Sequence, residues 1–139
     1  AALAAAAAVP HGLNAAGIAA ATIWRECVEY ALARGARLET FTGLAGVGDL
    51  TATVLAPGSR NRRAGELLGS GMPADQIPGK ISQASEGLDS VPLIAESVAR
   101  AGIVAPGLEG LSALIEGEID AGEWVAGLRR AERARRVAA

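Results

Sequence analysis

The make-up of the apolar residues is the feature that most constrains how this chain folds. Half of its 139 residues are hydrophobic, yet only 3% are aromatic. Alanine is the most frequent of them, followed by leucine, valine and isoleucine, and such residues favour closely packed helices over a β-sandwich or barrel. The length is that of one ordinary domain, about 100–150 residues. We therefore expect a single all-α domain over residues 1–139.

The charged and reactive residues exclude several classes of protein. The net charge of −2 argues against a general nucleic-acid-binding surface. The single cysteine, Cys27, has no partner for an internal disulfide, and with the lone His11 it cannot form a zinc site. We expect a cytoplasmic protein without a metal, and the ten apolar residues at its start are too few for a membrane span. We interpret the arginines near the C-terminus as the basic, solvent-exposed end of a helix: Arg129, Arg130, Arg133, Arg135 and Arg136.

Apolar periodicity and capping residues predict the main helices. Ala1 to Ala8 is interpreted as a closely packed helix. In the next predicted helix, Asn14 is the candidate N-cap and Gly35 the candidate C-cap. Ser59 is a candidate cap for the helix at residue 60. Pro92 permits a late helix start near Asp89. The predicted ranges after the first are 14–36, 60–68, 86–100, 108–115 and 121 to about 134. Gly117 is expected to stop the 108–115 helix, and the expected inward residues of the last helix are Trp124, Val125 and Leu128.

Two segments have less decisive patterns. Residues 50–55 fit either a short strand or a tight helical segment, and residues 80–85 fit an extended conformation. Within the 14–36 helix, steps of three and four residues predict an apolar face. The members of that face are Ile18, Ala21, Trp24 or Arg25, Val28 and Leu32. Together these patterns predict a compact bundle of six or seven helices.

One constellation of residues is suited to binding an anion. Asp49 follows Gly46 and Gly48, where the backbone can approach a ligand closely, and Ser59-Arg60-Asn61 follows ten residues later at a predicted helix start. A guanidinium, an amide and free backbone N–H groups in one small volume suit a phosphate. Two simpler interpretations stay open: Asp49 as a helix cap, and the arginines as a solvated face. The glycines are not spaced as a dinucleotide fingerprint, and no phosphate-binding glycine-lysine loop is present.

Three motifs in order resemble a known family. They are residues 39–50, Ser59-Arg60-Asn61-Arg62-Arg63, and Gln83-Ala84-Ser85-Glu86-Gly87. Together they resemble the C-terminal domain of NAD(P)-dependent sn-glycerol-3-phosphate dehydrogenase, over about residues 26–128. That domain is all-helical, as in 6-phosphogluconate dehydrogenase-like proteins, and it holds the substrate, whereas a Rossmann domain of the same protein holds the cofactor. The resemblance therefore implies an oxidoreductase whose Rossmann domain is not part of these 139 residues.

The resemblance also implies roles for particular residues. Asp49 and Thr53 match residues that bind the glycerol moiety. Ser59, Arg60 and Asn61 match residues that bind the glycerol phosphate, and Arg60 also reaches the NAD or NADP cofactor. Gln83, Ala84 and Glu86 match cofactor-lining positions. The family's general base is a lysine, which would lie at or before residue 1, so this chain alone is expected to be inactive.

The chain departs from the family at two places. Gly12-Leu13-Asn14-Ala15-Ala16 replaces a Gly-Asp-Asn-x-Lys stretch, and residues 54–58 lack the usual polar side chains. Two alternatives to a glycerol-3-phosphate dehydrogenase domain therefore stay open. One is a dehydrogenase domain for another phosphorylated or phosphonate alcohol, and the other is a non-catalytic helical module that binds an anion or a partner. The Ala-rich face is a candidate surface for a homodimer.

Overall fold

The computed structural model describes residues 1–81 and 85–138. In those ranges the chain forms nine α-helices and no strand. A 3₁₀ turn follows the first helix at Val9–His11, another lies at Ala74–Gln76, and a π-helical turn occupies Leu44–Gly48. The helices are α1 (Ala2–Ala8), α2 (Leu13–Ala33), α3 (Leu38–Thr42), α4 (Asp49–Leu55), α5 (Arg60–Gly69), α6 (Ile77–Ile81), α7 (Glu86–Arg100), α8 (Pro106–Glu116) and α9 (Ala121–Ala138).

The all-α prediction is confirmed, but the number of helices was underestimated. The additional helices are short and lie in the segments rich in glycine and proline. Residues 50–55 belong to α4, so the strand alternative is wrong there. The extended prediction is wrong for Lys80 and Ile81, which end α6. Pro78 is tolerated in α6 because it lies in the first turn, where its missing N–H has no intrahelical acceptor.

Helix α2 differs from its prediction at both its start and its buried face. It begins at Leu13 after Gly12, so Asn14 is inside the helix and is not its cap. It ends at Ala33, and Gly35 then adopts a φ of 88°, as suits a residue that terminates a helix. The buried residues are Ala15, Ala19, Thr22, Ile23 and Glu26. This face is rotated from the predicted one, since Ala21 and Leu32 are exposed.

The observed face includes Glu26, a buried acid that joins two helices. Its Oε1 accepts a hydrogen bond from the Gly107 N–H at 2.9 Å, and its Oε2 accepts one from the Leu108 N–H at 2.8 Å. These donors belong to the first turn of α8, which has no intrahelical acceptors for them. Burial raises the pKa of the Glu26 carboxyl, and the two backbone hydrogen bonds act in the opposite direction. Glu26 therefore acts as a helix cap supplied from a distant part of the sequence.

The alanine run forms the centre of the bundle. Every residue of α1 is buried, and α1 packs against α2 and α5. Gly65 and Gly69 lie one turn apart on α5 and face the backbone carbonyls of Leu3 and Ala7. A Cβ atom at either glycine would overlap these carbonyls, so glycine is what allows the two helix backbones to approach. The closely packed helix predicted for Ala1 to Ala8 is confirmed.

We expect Gly65→Ala to lower the free energy of unfolding by about 2–3 kcal/mol, because the added methyl group forces α1 away from α5. Urea denaturation followed by circular dichroism measures the change. Gly17→Ala is the matched control, since Gly17 is also inside a helix but has open space around it. There the substitution should be neutral or stabilising, by up to about 1 kcal/mol. Equal midpoints for the wild-type and Gly65→Ala proteins would show that the helices are not packed this closely.

Helix α8 packs against both α7 and α9. Trp124, Val125 and Leu128 of α9 are buried, as predicted, and the Trp124 indole N–H donates to the carbonyl of Gly107 at 3.3 Å. Gly117 ends α8 with a φ of 77°, also as predicted. Helix α9 runs to Ala138, beyond the predicted end near residue 134, and its last turns are rich in the strong helix formers alanine and arginine. Among the described residues, no helix is both long and apolar enough to cross a membrane.

Candidate functional site

A small cleft lies at the end of the bundle where α1 and α5 begin. Its volume is about 210 Å³. Three residues predicted to bind substrate line it together: Asp49, Thr53 and Asn61. Its other lining residues are Ala1, Ala2, Trp24, Ala45, Gly46 and Leu50. Residues from four parts of the sequence therefore converge on one polar cleft.

Helix α4 places two of the polar side chains on the same side. Asp49 and Thr53 are four residues apart, which puts them on one helix face. Asp49 is the first residue of α4, where the helix dipole favours an acid. The N-cap is Gly48, and no side chain caps this helix, so the interpretation of Asp49 as a cap is wrong. The carboxylate is exposed to solvent.

The glycine-rich segment before α4 forms the base of the cleft. Gly46 is buried within the π-helical turn, and a Cβ atom there would overlap the backbone of Phe41. The glycine therefore permits the turn to fold tightly against α3. This packing fixes the start of α4, and with it the position of Asp49.

Asn61 connects the cleft to the start of α7. Its Oδ1 accepts hydrogen bonds from the Ser85 hydroxyl at 3.0 Å and from the Gly87 N–H at 3.1 Å. Because Oδ1 accepts both hydrogen bonds, the orientation of the side-chain amide is assigned, and its NH₂ group points away from Ser85 and Gly87. Ser85 is buried, so this contact ties the third sequence motif to the second. Asn61 thus has a structural role as well as a place on the cleft.

Ser59 and Arg60 lie beside Asn61 but do not line the cleft. The Ser59 hydroxyl accepts a hydrogen bond from the Arg62 N–H at 3.3 Å, which confirms Ser59 as the N-cap of α5. The Arg60 guanidinium lies 3.7 Å from the Glu86 carboxylate, with 51% and 83% of the two side chains exposed. Such an exposed pair is weak, so both side chains can exchange it for a ligand. Two more predicted cofactor residues, Gln83 and Ala84, lie outside the described residues.

The arginines at positions 60, 62 and 63 were interpreted as a solvent-exposed face, and this interpretation holds for two of the three. Arg60 and Arg63 are exposed, whereas Arg62 is half-buried. Its Nη1 donates to the carbonyls of Val54 and Leu55 at 3.3 and 3.2 Å, at the C-terminal end of α4. Arg62 therefore holds α4 against α5 and stabilises the geometry of the cleft.

A larger groove lies at the opposite end of α5. Its volume is about 890 Å³, and its lining includes His11, Asp75 and Asp120 but none of the predicted site residues. His11 is therefore remote from Asp49. The chemistry of the side chains, rather than the size of the cavity, identifies the smaller cleft as the candidate site.

Sequence reasoning missed one side chain of the cleft. Trp24 lines it, although its position in the sequence indicated only the apolar face of α2. The signal was available in part, because Trp24 is one of two tryptophans in a chain with few aromatics. The contact of α2 with the turn before α4 could not be predicted from periodicity.

The fold and cleft define an all-α domain, and the comparisons with known proteins identify its class as the C-terminal part of a nicotinamide-dependent dehydrogenase. Residues 1–126 match the family described as NAD-dependent glycerol-3-phosphate dehydrogenase C-terminus. Since this match extends over most of the sequence, the chain belongs to that family.

Individual relatives agree with this assignment. The chain is 40% identical over 104 residues to a glycerol-3-phosphate dehydrogenase (NAD(P)+) of Caulobacter vibrioides, covering 74% of this chain and 31% of the relative. For a relative of the same name from Acidovorax ebreus, identity is 37% over 121 residues, covering 87% and 37%.

A solved structure shows the same fold. The crystal structure of glycerol-3-phosphate dehydrogenase from Coxiella burnetii matches 91% of this chain and 40% of its own, with a TM-score of 0.81 and 30% identity. The chain therefore spans about a third of the length of the curated relatives that it matches.

Proposed function

We propose that this chain is the substrate-binding domain of an enzyme that interconverts sn-glycerol 3-phosphate and dihydroxyacetone phosphate with NAD or NADP. The observation that carries the proposal is the convergence of Asp49, Thr53 and Asn61 on one small cleft, with Arg60 beside it. The chain's family membership supports the same function. The proposed substrate is a short polyol phosphate, which needs partners for both its hydroxyls and its phosphate.

The side chains divide these tasks by their chemistry. Arg60 supplies a planar guanidinium that suits a phosphate, and Asn61 and the neighbouring Ser59 supply neutral polar groups. Asp49 and Thr53 orient the hydroxyls near the reacting carbon. Positioning of this kind lowers the barrier by holding the reacting atoms in line.

The start of α1 is the proposed position of the proton-transfer group. Ala1 and Ala2 line the cleft. A lysine just before Ala1, as the resemblance implies, would therefore lie close to Asp49 and Thr53. Its task would be to hold or release the proton of the hydroxyl that is oxidised.

The residues of this chain fit the edge of a cofactor site. The exposed Arg60–Glu86 pair can meet a ligand from outside the chain, and no dinucleotide fingerprint lies within the sequence. When bound, the nicotinamide supplies the hydride chemistry. We propose that a Rossmann domain of the same protein, preceding Ala1, holds most of the cofactor. The cytoplasmic location, the homodimer and the absence of a metal stay predictions.

The test is an assay of the full-length protein, including its proposed cofactor domain. We expect reduced nicotinamide to be consumed with dihydroxyacetone phosphate, and kcat/KM to be at least about 100-fold lower with dihydroxyacetone, which lacks the phosphate. Phosphonate analogues in the same assay test the alternative alcohols. Residues 1–139 alone should give no turnover. Turnover by that fragment, or no activity of the full-length protein on dihydroxyacetone phosphate, would overturn the proposal.

A further inference from the structure

The candidate cleft is lined by both polar and large apolar side chains. Asp49, Thr53 and Asn61 are the polar residues, and Trp24 and Leu50 supply the large apolar side chains. Trp24 has the largest side chain on the cleft and is half-buried. The proposed function uses the polar side chains but gives the indole no role.

The indole is held in place from the side of α3. The rings of Trp24 and Phe41 meet edge to face, with centroids 6.0 Å apart and planes at 69°. This geometry is a favourable one for aromatic pairs. The backbone of Phe41 is itself packed against Gly46, where no Cβ atom fits. The indole of Trp24 is therefore packed against α3, and α3 is packed against the turn that precedes Asp49.

The cleft is small. Its volume of about 210 Å³ is below the range of about 300–1,000 Å³ typical of ligand pockets. A substrate with one more carbon needs extra room, and the proposed function already uses Asp49, Thr53 and Asn61. The largest remaining side chain of the cleft is the indole of Trp24.

We propose that Trp24 is a specificity-determining residue that restricts the cleft to three-carbon phosphates. This inference rests on the proposed function. It assigns to Trp24 a role in choosing the length of the substrate, distinct from the roles of the polar residues in binding its hydroxyls and phosphate.

The test compares two substrates in the full-length protein. Erythrulose 1-phosphate is dihydroxyacetone phosphate extended by one hydroxylated carbon at the end away from the phosphate. We expect Trp24→Ala to reduce the preference for dihydroxyacetone phosphate, as a ratio of kcat/KM values, by at least about tenfold. Trp24→Phe keeps a ring beside Phe41 and should reduce it less. Trp124→Phe alters the buried tryptophan of the core and should leave the ratio unchanged.

Fluorescence provides a readout that does not depend on turnover. Binding of dihydroxyacetone phosphate should change the tryptophan emission of the wild-type protein, and this change should vanish in Trp24→Phe while calorimetry still detects binding. This variant also keeps the test valid if Trp24→Ala does not fold.

Two results would overturn the inference, and they are distinguishable. If the wild-type enzyme reduces dihydroxyacetone phosphate but the ratio is the same in the Trp24 variants, the role of Trp24 is refuted and the proposed function stands. If the wild-type protein neither binds nor reduces dihydroxyacetone phosphate, the proposed function and the inference both fall.

Discussion

Replacing Glu26 with alanine should lower the free energy of unfolding by about 3–5 kcal/mol. The substitution leaves the buried N–H groups of Gly107 and Leu108 without acceptors and opens a cavity between α2 and α8. Urea denaturation monitored by circular dichroism measures the loss. The loss should appear as a lower midpoint with a similar slope, because the folded chain keeps its other contacts.

Glu29→Ala is the matched control for this prediction. Glu29 lies one turn further along α2, and its carboxylate pairs with Arg25 at 3.5 Å and with Arg135 at 3.3 Å. These pairs are partly exposed, so the expected loss is below about 1 kcal/mol. Similar losses for Glu26→Ala and Glu29→Ala would contradict the capping role of Glu26.

The raised pKa of Glu26 also predicts a dependence on pH. Because burial raises its pKa above the ordinary value of 4.5, the folded chain holds this proton more tightly than the unfolded chain. The stabilisation from this group is complete below pH 4.5 and is lost as the pH rises through the raised pKa. Glu26→Gln removes the titrating group, so the difference in unfolding free energy between the two proteins should change across this window. A constant difference would show that the pKa of Glu26 is not raised.

Arg60→Ala should lower the kcat/KM of the full-length protein for dihydroxyacetone phosphate by about 30-fold to several thousand-fold. This range corresponds to the loss of about 2–5 kcal/mol of transition-state binding, as for a charged contact removed from a ligand. Stability should change by less than about 1 kcal/mol, since the pair that Arg60 makes with Glu86 is exposed. Steady-state kinetics and denaturation of the same preparation measure both quantities.

Arg63→Ala is the control for this effect. Arg63 is an exposed arginine on the same helix and carries the same charge. We expect its kcat/KM to stay within about threefold of the wild-type value, because general electrostatic attraction alone has a small effect at physiological salt. Equal losses from the two variants would indicate a diffuse basic surface instead of a phosphate site at Arg60.

Features that depend on short stretches of sequence were predictable. The cap at Ser59, the helix end at Gly117 and the buried Trp124 each follow from residues within a few positions of one another. The all-α fold follows from a composition rich in alanine and poor in aromatics. Asp49 and Asn61 were selected by their motifs and Thr53 by the resemblance to the family, and all three line one cleft.

Features that depend on contacts between distant residues were not predictable. The burial of Glu26 was not predicted, because its carboxylate oxygens accept hydrogen bonds from backbone amides that are more than eighty positions away. Likewise, the contacts of Asn61 with Ser85 and Gly87 cross 24 and 26 positions. The direction in which the Trp24 side chain points from α2 depends on the packing of α2 against α3. Helical periodicity identifies an apolar face but not the neighbour that covers it.

A crystal structure of the full-length protein with dihydroxyacetone phosphate tests the central claim most directly. We expect the phosphate within hydrogen-bond distance of Arg60 and Asn61, and the C2 oxygen in the cleft beside Asp49 and Thr53. A ligand bound instead in the larger groove near His11 and Asp120 would contradict it.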